Sequence, residues 1–335
     1  MPYGTCNADV IGTSVVGSNI GAGNASIMKN RIINGAMVID QRNAGASYTP
    51  TGANPYGLDR WSGILTQASK YSFQQNAGSV TPPVGFTNYL GVTSSSAYSV
   101  LTGDTFALSQ AIEGYNIADL GWGTADAKTI TISAWVRSSL TGVFGGSLVN
   151  SAANRCYVFS YSIPVANTWT QISVTIPGDT SGTWLTTNGI GLQVRFGLGS
   201  GATFSGTAGS WGTSNIVQPT GATSVVGTNG ATFYITGVQL EVGSSATGFE
   251  YVNYQTSLAN CQRYYETFAR LQSGVSTSVN TNYATVGYKV TKRATPTVAY
   301  SLGYSTVSSI NTESTIFTRT GDPVDFTSLS FSAEL

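Results

Sequence analysis

The chain has 335 residues, enough for two or three domains and a sizeable core, and 41% of them are hydrophobic. Its 15 Lys and Arg are scattered and cancel its 15 Asp and Glu, and charged residues total 9%, against roughly 25% in ordinary soluble proteins. This balance excludes a phosphate-gripping basic surface, hence nucleic acid as a partner, and the lack of any histidine excludes Ser-His-Asp, Cys-His and nearly all zinc catalysis.

The opening MPYGTCNADV has no basic region followed by an apolar core, so the reading is of a chain made in a cytoplasm and not exported by the usual route. No apolar run approaches the ~18 residues that cross a bilayer, so no membrane insertion is expected. Residues 1–29, through GTSVVGSNIGAGNASIM, are small and flexible in composition, which suits an attachment arm or a frayed terminus. From NRIINGAMVIDQRNAG onward, strand signals dominate. The stretch LSQAIEGYNIADLGW, residues 108–122, has a helical or irregular flavour. The clearest strands are 129–138, 169–178, 189–199 and 232–243, each rich in Ile, Val, Thr and aromatics. In the second, Ile172, Val174 and Ile176 alternate with Gln171, Ser173 and Thr175, predicting one buried and one wetted face. In the last, Tyr234, Thr236, Val238 and Leu240 are expected on one face, and Phe233, Ile235, Gln239 and Glu241 on the other. Turn clusters such as PGDTSG separate these segments, and the spacing predicts an antiparallel sandwich. A second block starts near residue 256: SLANCQRYYETFARL reads as a short helix or bend, followed by strands in NYATVGYKVTK, PTVAYSL and FTSLSFSAEL. Cys6, Cys156 and Cys261 are too widely spaced for a disulfide framework, and the last two read as small buried hydrophobes.

Several stretches resemble, in order, a widespread family of bacteriophage tail fibre and minor tail proteins. They are NRIINGAMVIDQRNAG, YGLDRW, QAIEGYNIADLGWGTADAKTITISAWVRSSLTGVFGGSL, ANTWTQISVTIPGDTSGTW, NGIGLQVRFGLGSG, GATFYITGVQLEVGSSATGFEY and LANCQRYYETF. The resemblance implies an all-β chain: an N-terminal extended arm for virion attachment (1–29), a carbohydrate-binding-module-like jelly-roll β-sandwich (30–255) and a small C-terminal β-sandwich (256–335). It also implies a homotrimer on a virion. The expected partners are tail or capsid proteins held through the arm and a host-surface glycan. A head fibre or capsid decoration protein is the alternative, and a polysaccharide-degrading tailspike a third.

Many sugar-binding jelly rolls hold a structural Ca²⁺ between the first and last strands. Here Val38 of NGAMV and Thr236-Gly237 of ITGVQ stand where such relatives carry acids, so no metal and no cofactor are expected. Trp122, Trp184 and Trp211 lie in Gly/Thr/Ser-rich connections and are read as exposed glycan platforms or trimer-interface plugs. Trp135, alternating into TISAWV, reads as a core residue, Trp169 as structural, and Trp61 as a packing anchor beside Arg60. Asp104, Glu113, Asp119 and Asp126 have no spacing that establishes a glycosidase pair, so no catalytic residue is assigned and a non-enzymatic protein is expected. Glu241 is read as a polar strand end.

Overall fold

The structure, a computed structural model, describes residues 28–52, 55–268, 271–272, 281–300, 306–320, 325–326 and 328–335. The expected arm falls outside the described residues except for Met28 and Lys29, as does Cys6.

Strands form where β-branched and aromatic residues are concentrated. In chain order they are β1 (Tyr56–Leu58), β2 (Trp61–Leu65), β3 (Tyr71–Gln75), β4 (Leu90–Ser94), β5 (Thr105–Glu113), β6 (Ile130–Ser138) and β7 (Gly142–Val149). Then come β8 (Cys156–Ile163), β9 (Thr170–Ile176), β10 (Ile190–Ser200), β11 (Ser205–Gly206), β12 (Trp211–Gly212), β13 (Gln218–Pro219) and β14 (Thr232–Val242). One sheet has the order β3-β4-β14-β6-β9 and the other β1-β2-β5-β10-β7-β8-β12, with antiparallel neighbours throughout. Their inner faces meet in one core, where Trp61, Phe106 and Phe196 of the larger sheet join Phe73, Ile132 and Phe233 of the smaller. This is the expected jelly-roll sandwich. The alternation in β9 is as read: Ile172 and Ile176 are buried while Gln171, Ser173 and Thr175 are exposed.

Four expectations need correction. NRIINGAMVIDQRNAG contains no strand; it is a series of turns, with Asn34, Met37 and Ala44 at positive φ. Its backbone is held from outside by the Gln110 amide, which accepts from the Ile33 N–H and donates to the Ile33 carbonyl, both at 2.9 Å. The first part of LSQAIEGYNIADLGW is not irregular: residues 108–113 belong to β5, a central strand buried along its whole length. A strand covered on both faces loses the polar–apolar alternation that marks a strand in sequence, which is why Leu108 and Ile112 look helical. Trp135 is half-buried on the outer face of β6, because Ile130, Ile132, Ala134 and Val136 fill the core side. In β14 the faces switch midway. Phe233, Ile235, Val238 and Leu240 all enter the core, leaving Tyr234, Thr236, Gln239 and Glu241 outside it. The cause is a bulge between Thr236 and Gln239, with Gly237 at φ 59°. One extra residue reverses the pleat, and a left-handed φ favours glycine.

Beyond β14 lies a helix, Tyr254–Gln262, capped by the Asn253 side chain accepting from the Thr256 N–H. The C-terminal strands form three small sheets with a second core around Phe317, Phe326 and Phe331. The seam with the sandwich is ionic. Glu113, buried at the end of β5, accepts from Arg263 Nε and Nη2 at 2.9 and 2.6 Å and from the Tyr264 hydroxyl at 2.7 Å. Glu334 accepts from both Arg42 and Arg60, and the Arg60 guanidinium lies 3.6 Å from the Tyr264 ring centre. Lys292 and Glu266, both fully buried, pair at 2.7 Å just beyond it. Cys156 and Cys261 are buried free thiols, as expected.

Candidate functional site

Trp122, Trp184 and Trp211 do come together. Their ring centres lie 4.7, 5.3 and 5.5 Å apart, all edge to face, and Tyr157 packs on Trp211 at 5.2 Å. They are not exposed as expected: Trp122 and Trp184 are each only 7% exposed, and Trp211 is half-buried. Each indole N–H is already used, donating to the carbonyls of Lys128, Ser181 and Pro177 respectively. The rings turn their faces on one another and extend the core. Flexible-looking Gly/Ser/Thr connections concealed this, because large aromatics there gain from burial in each other's company. Trp61 is fully buried beside Arg60, and Trp169 packs on Tyr89 while donating to the Thr81 carbonyl, so both are structural as read.

The four carboxylates weighed for hydrolysis are spread over different jobs. Asp104 is a loop clamp, accepting from the Thr66 and Tyr98 hydroxyls and the Leu101 N–H. These bonds outweigh burial and hold it below its ordinary range. Glu113 holds the seam, Asp119 pairs with Arg31 at 2.7 Å, and Asp126 is exposed. Among the described residues no group of three or more Cys, Asp or Glu comes together as a metal site would require. NGAMV and ITGVQ do meet, as the jelly-roll comparison implied: the Val238 N–H donates to the Gly35 carbonyl at 3.0 Å, and Asn30 Nδ2 donates to the Val238 carbonyl.

That meeting point opens into a cleft of about 550 Å³ between the turn-rich segment 28–38, the loop at 85–87, the segment 249–252 and the helix. One wall is aromatic. Phe86, Phe249 and Tyr251 form a triangle with centre distances of 5.1, 5.7 and 5.1 Å. Tyr251 is 63% exposed, and the neighbouring Val84 and Val252 are exposed too. Two glycines permit the approach. A Cβ on Gly237 would lie 2.6 Å from the Phe86 ring, and one on Gly85, at φ 92°, would lie 2.4 Å from the Tyr251 hydroxyl.

Glu241 builds this wall. It stands next to the last residue of β14, but it is fully buried. One oxygen accepts from Gln239 Nε2 and the Thr247 N–H, both at 2.8 Å, and the other from the Thr247 hydroxyl at 2.6 Å. Gln239 in turn accepts from the Glu250 N–H, and Glu250 accepts from the Asn30 N–H. The carboxylate therefore folds GSSATGFEY back over the outer face of β14 and fixes Phe249 and Tyr251 at the cleft. These aromatics escaped the sequence reading because they sit in turns with no periodicity. The only signal was their density in TGFEY beside a strand end.

Polar side chains also line the cleft. The side chains of Asn116, Asn260, Thr256 and Ser257 have no hydrogen-bond partner among the described residues. Arg31 Nε is buried and likewise has no acceptor. Aromatic faces beside uncommitted amides and hydroxyls are the chemistry of a site for a polar, ring-bearing ligand.

No known family model matches this chain, and no curated protein matches it in sequence. Solved structures are similar to it in fold alone. The enzymatically active domain of tailspike protein 4 from bacteriophage CBA120 is similar at 12% identity and a TM-score of 0.35, covering 64% of this chain and 21% of that one. The family 11 carbohydrate-binding module of a cellulosomal cellulase from Clostridium thermocellum is similar at 12% identity and 0.28, covering 61% and 99%. The N-terminal cellulose-binding domain of Cellulomonas fimi β-1,4-glucanase C is similar at 13% and 0.28, covering 60% and 100%. The likeness is distant and carries no assignment of function.

Proposed function

We propose that this chain is a non-enzymatic structural component of a bacteriophage virion, a homotrimeric tail fibre that recognises a host-surface glycan. The observation that carries glycan recognition is the cleft: Tyr251 and Phe86 offer ring faces beside amide and hydroxyl side chains that the fold leaves uncommitted. The phage setting is supported by the ordered stretches that resemble tail fibre proteins, and by a neutral, weakly charged β fold suited to life outside a cell. The non-enzymatic reading is supported by Asp104, Glu113 and Asp119, each committed to bonds that hold the fold. Three weak sites per trimer and several trimers per virion would supply avidity without tight individual binding.

The test is position and adsorption together. Antibody to this chain should label the tail of the phage that encodes it, and free protein should slow adsorption to host cells. Light scattering should return a trimer mass. Label on the capsid would make it a head fibre, an unlabelled virion would end the reading, and release of oligosaccharide from host polysaccharide would make it an enzyme.

A further inference from the structure

We infer that the cleft takes an uncharged saccharide and discriminates against acidic ones. This rests on the glycan-binding reading above and names the ligand class. Each cation that lines the cleft already has a counter-charge: Arg31 pairs with Asp119 at 2.7 Å, and Arg263 is held in a two-pronged pair by Glu113. Lys29, in the same segment but not lining the cleft, is occupied by the Thr247 hydroxyl and the Gly248 carbonyl. A ligand carboxylate, sulfate or phosphate would have to compete with those carboxylates. It would also face Glu250, whose Oε2 accepts from the Asn30 N–H at 2.6 Å and which has no cation partner among the described residues. An anion entering a partly apolar cleft without a free cation carries an uncompensated desolvation cost.

Sugar hydroxyls meet no such obstacle. A hydroxyl both donates and accepts, and the cleft supplies both kinds of group. Asn116, Asn260, Thr256 and Ser257 offer donors and acceptors, and Glu250 an acceptor. The apolar C–H face of a pyranose fits against Tyr251, the exposed member of the aromatic triangle.

The experiment uses the full chain on an array of neutral gluco-, galacto-, manno-, xylo- and N-acetylglucosamine oligosaccharides. The same backbones bearing uronate, sialate, sulfate or phosphate complete it. The expected result is retention of neutral members, insensitive to salt from about 50 to about 500 mM. Tyr251→Ala should weaken it about tenfold with an unchanged melting curve, since the side chain is largely exposed. Asp119→Asn should release Arg31 and raise binding of acidic members about fivefold. A wild-type preference for acidic members with steep salt dependence would overturn the inference and leave glycan binding standing. Retention of no member would overturn glycan binding at this cleft and the inference with it.

Discussion

Replacing Glu113 with Gln should loosen the seam between the sandwich and the C-terminal sheets. The carboxylate is buried and accepts three bonds, two from Arg263 and one from the Tyr264 hydroxyl. Glutamine keeps the volume but presents an NH2 to donors, so at least one bond becomes a donor–donor contact. A fully buried pair broken on one side costs about 3–5 kcal/mol. The Arg263 side chain is 33% exposed, and water can solvate it after the change, which lowers the expected cost to about 2–3 kcal/mol. The pH dependence has a definite sign. Burial raises the Glu113 pKa, but its bonds to Arg263 and Tyr264 outweigh that and bring it below the ordinary value. The stability it supplies is therefore present above the unfolded carboxylate pKa and lost as pH falls through the lower folded value. Urea unfolding followed by tryptophan and far-ultraviolet signals is the assay. The wild type should lose stability through the acid range, and Glu113→Gln should lose less there because its loss is already taken. Because two cores are present, the variant should also separate into two transitions. A variant within about 0.5 kcal/mol of wild type at neutral pH would refute the seam argument.

Asp59 should act in the opposite sense. Burial pushes it from 3.8 to about 6, only partly countered by the two bonds it accepts from Gln41. The folded state thus holds this proton more tightly, and stability falls as pH rises from about 4 to about 6, by about 3 kcal/mol when complete. Asp59→Asn should remove that slope from a urea-midpoint series. Gly237→Ala should destabilise by about 1–3 kcal/mol, since the bulge needs a positive φ and the new methyl would press on Phe86. Calorimetry checks it, and an unchanged melting temperature would rule out the bulge account. Trp184→Ala should cost about 3–5 kcal/mol by opening the tryptophan cluster, while glycan affinity in the surviving folded protein stays as it was. Lost binding with intact stability would restore these tryptophans as ligand platforms.

The amino-acid sequence by itself determined the class of fold. Four strands were legible because their hydrophobic pattern is local: Ile172 and Ile176 of β9 alternate with polar neighbours whatever they pack against. The short helix and the burial of Cys156 and Cys261 were legible for similar reasons. Only the tertiary structure decided what depends on a second segment. β5 hid its identity because both of its faces are covered, so no alternation survives in its residues. The reversal of faces in β14 turns on the backbone angle of Gly237, and a glycine in sequence does not announce its φ. Trp122, Trp184 and Trp211 are as much as 89 residues apart in the chain, and only packing revealed that they bury one another. The cleft was the least legible feature. Its aromatic wall comes from two turns, its polar side chains from a third segment and a helix, and its shape from a carboxylate, Glu241, whose partners lie in a loop without periodicity. Periodic burial writes a fold into neighbouring residues, whereas a site assembled from turns exists only once distant segments meet.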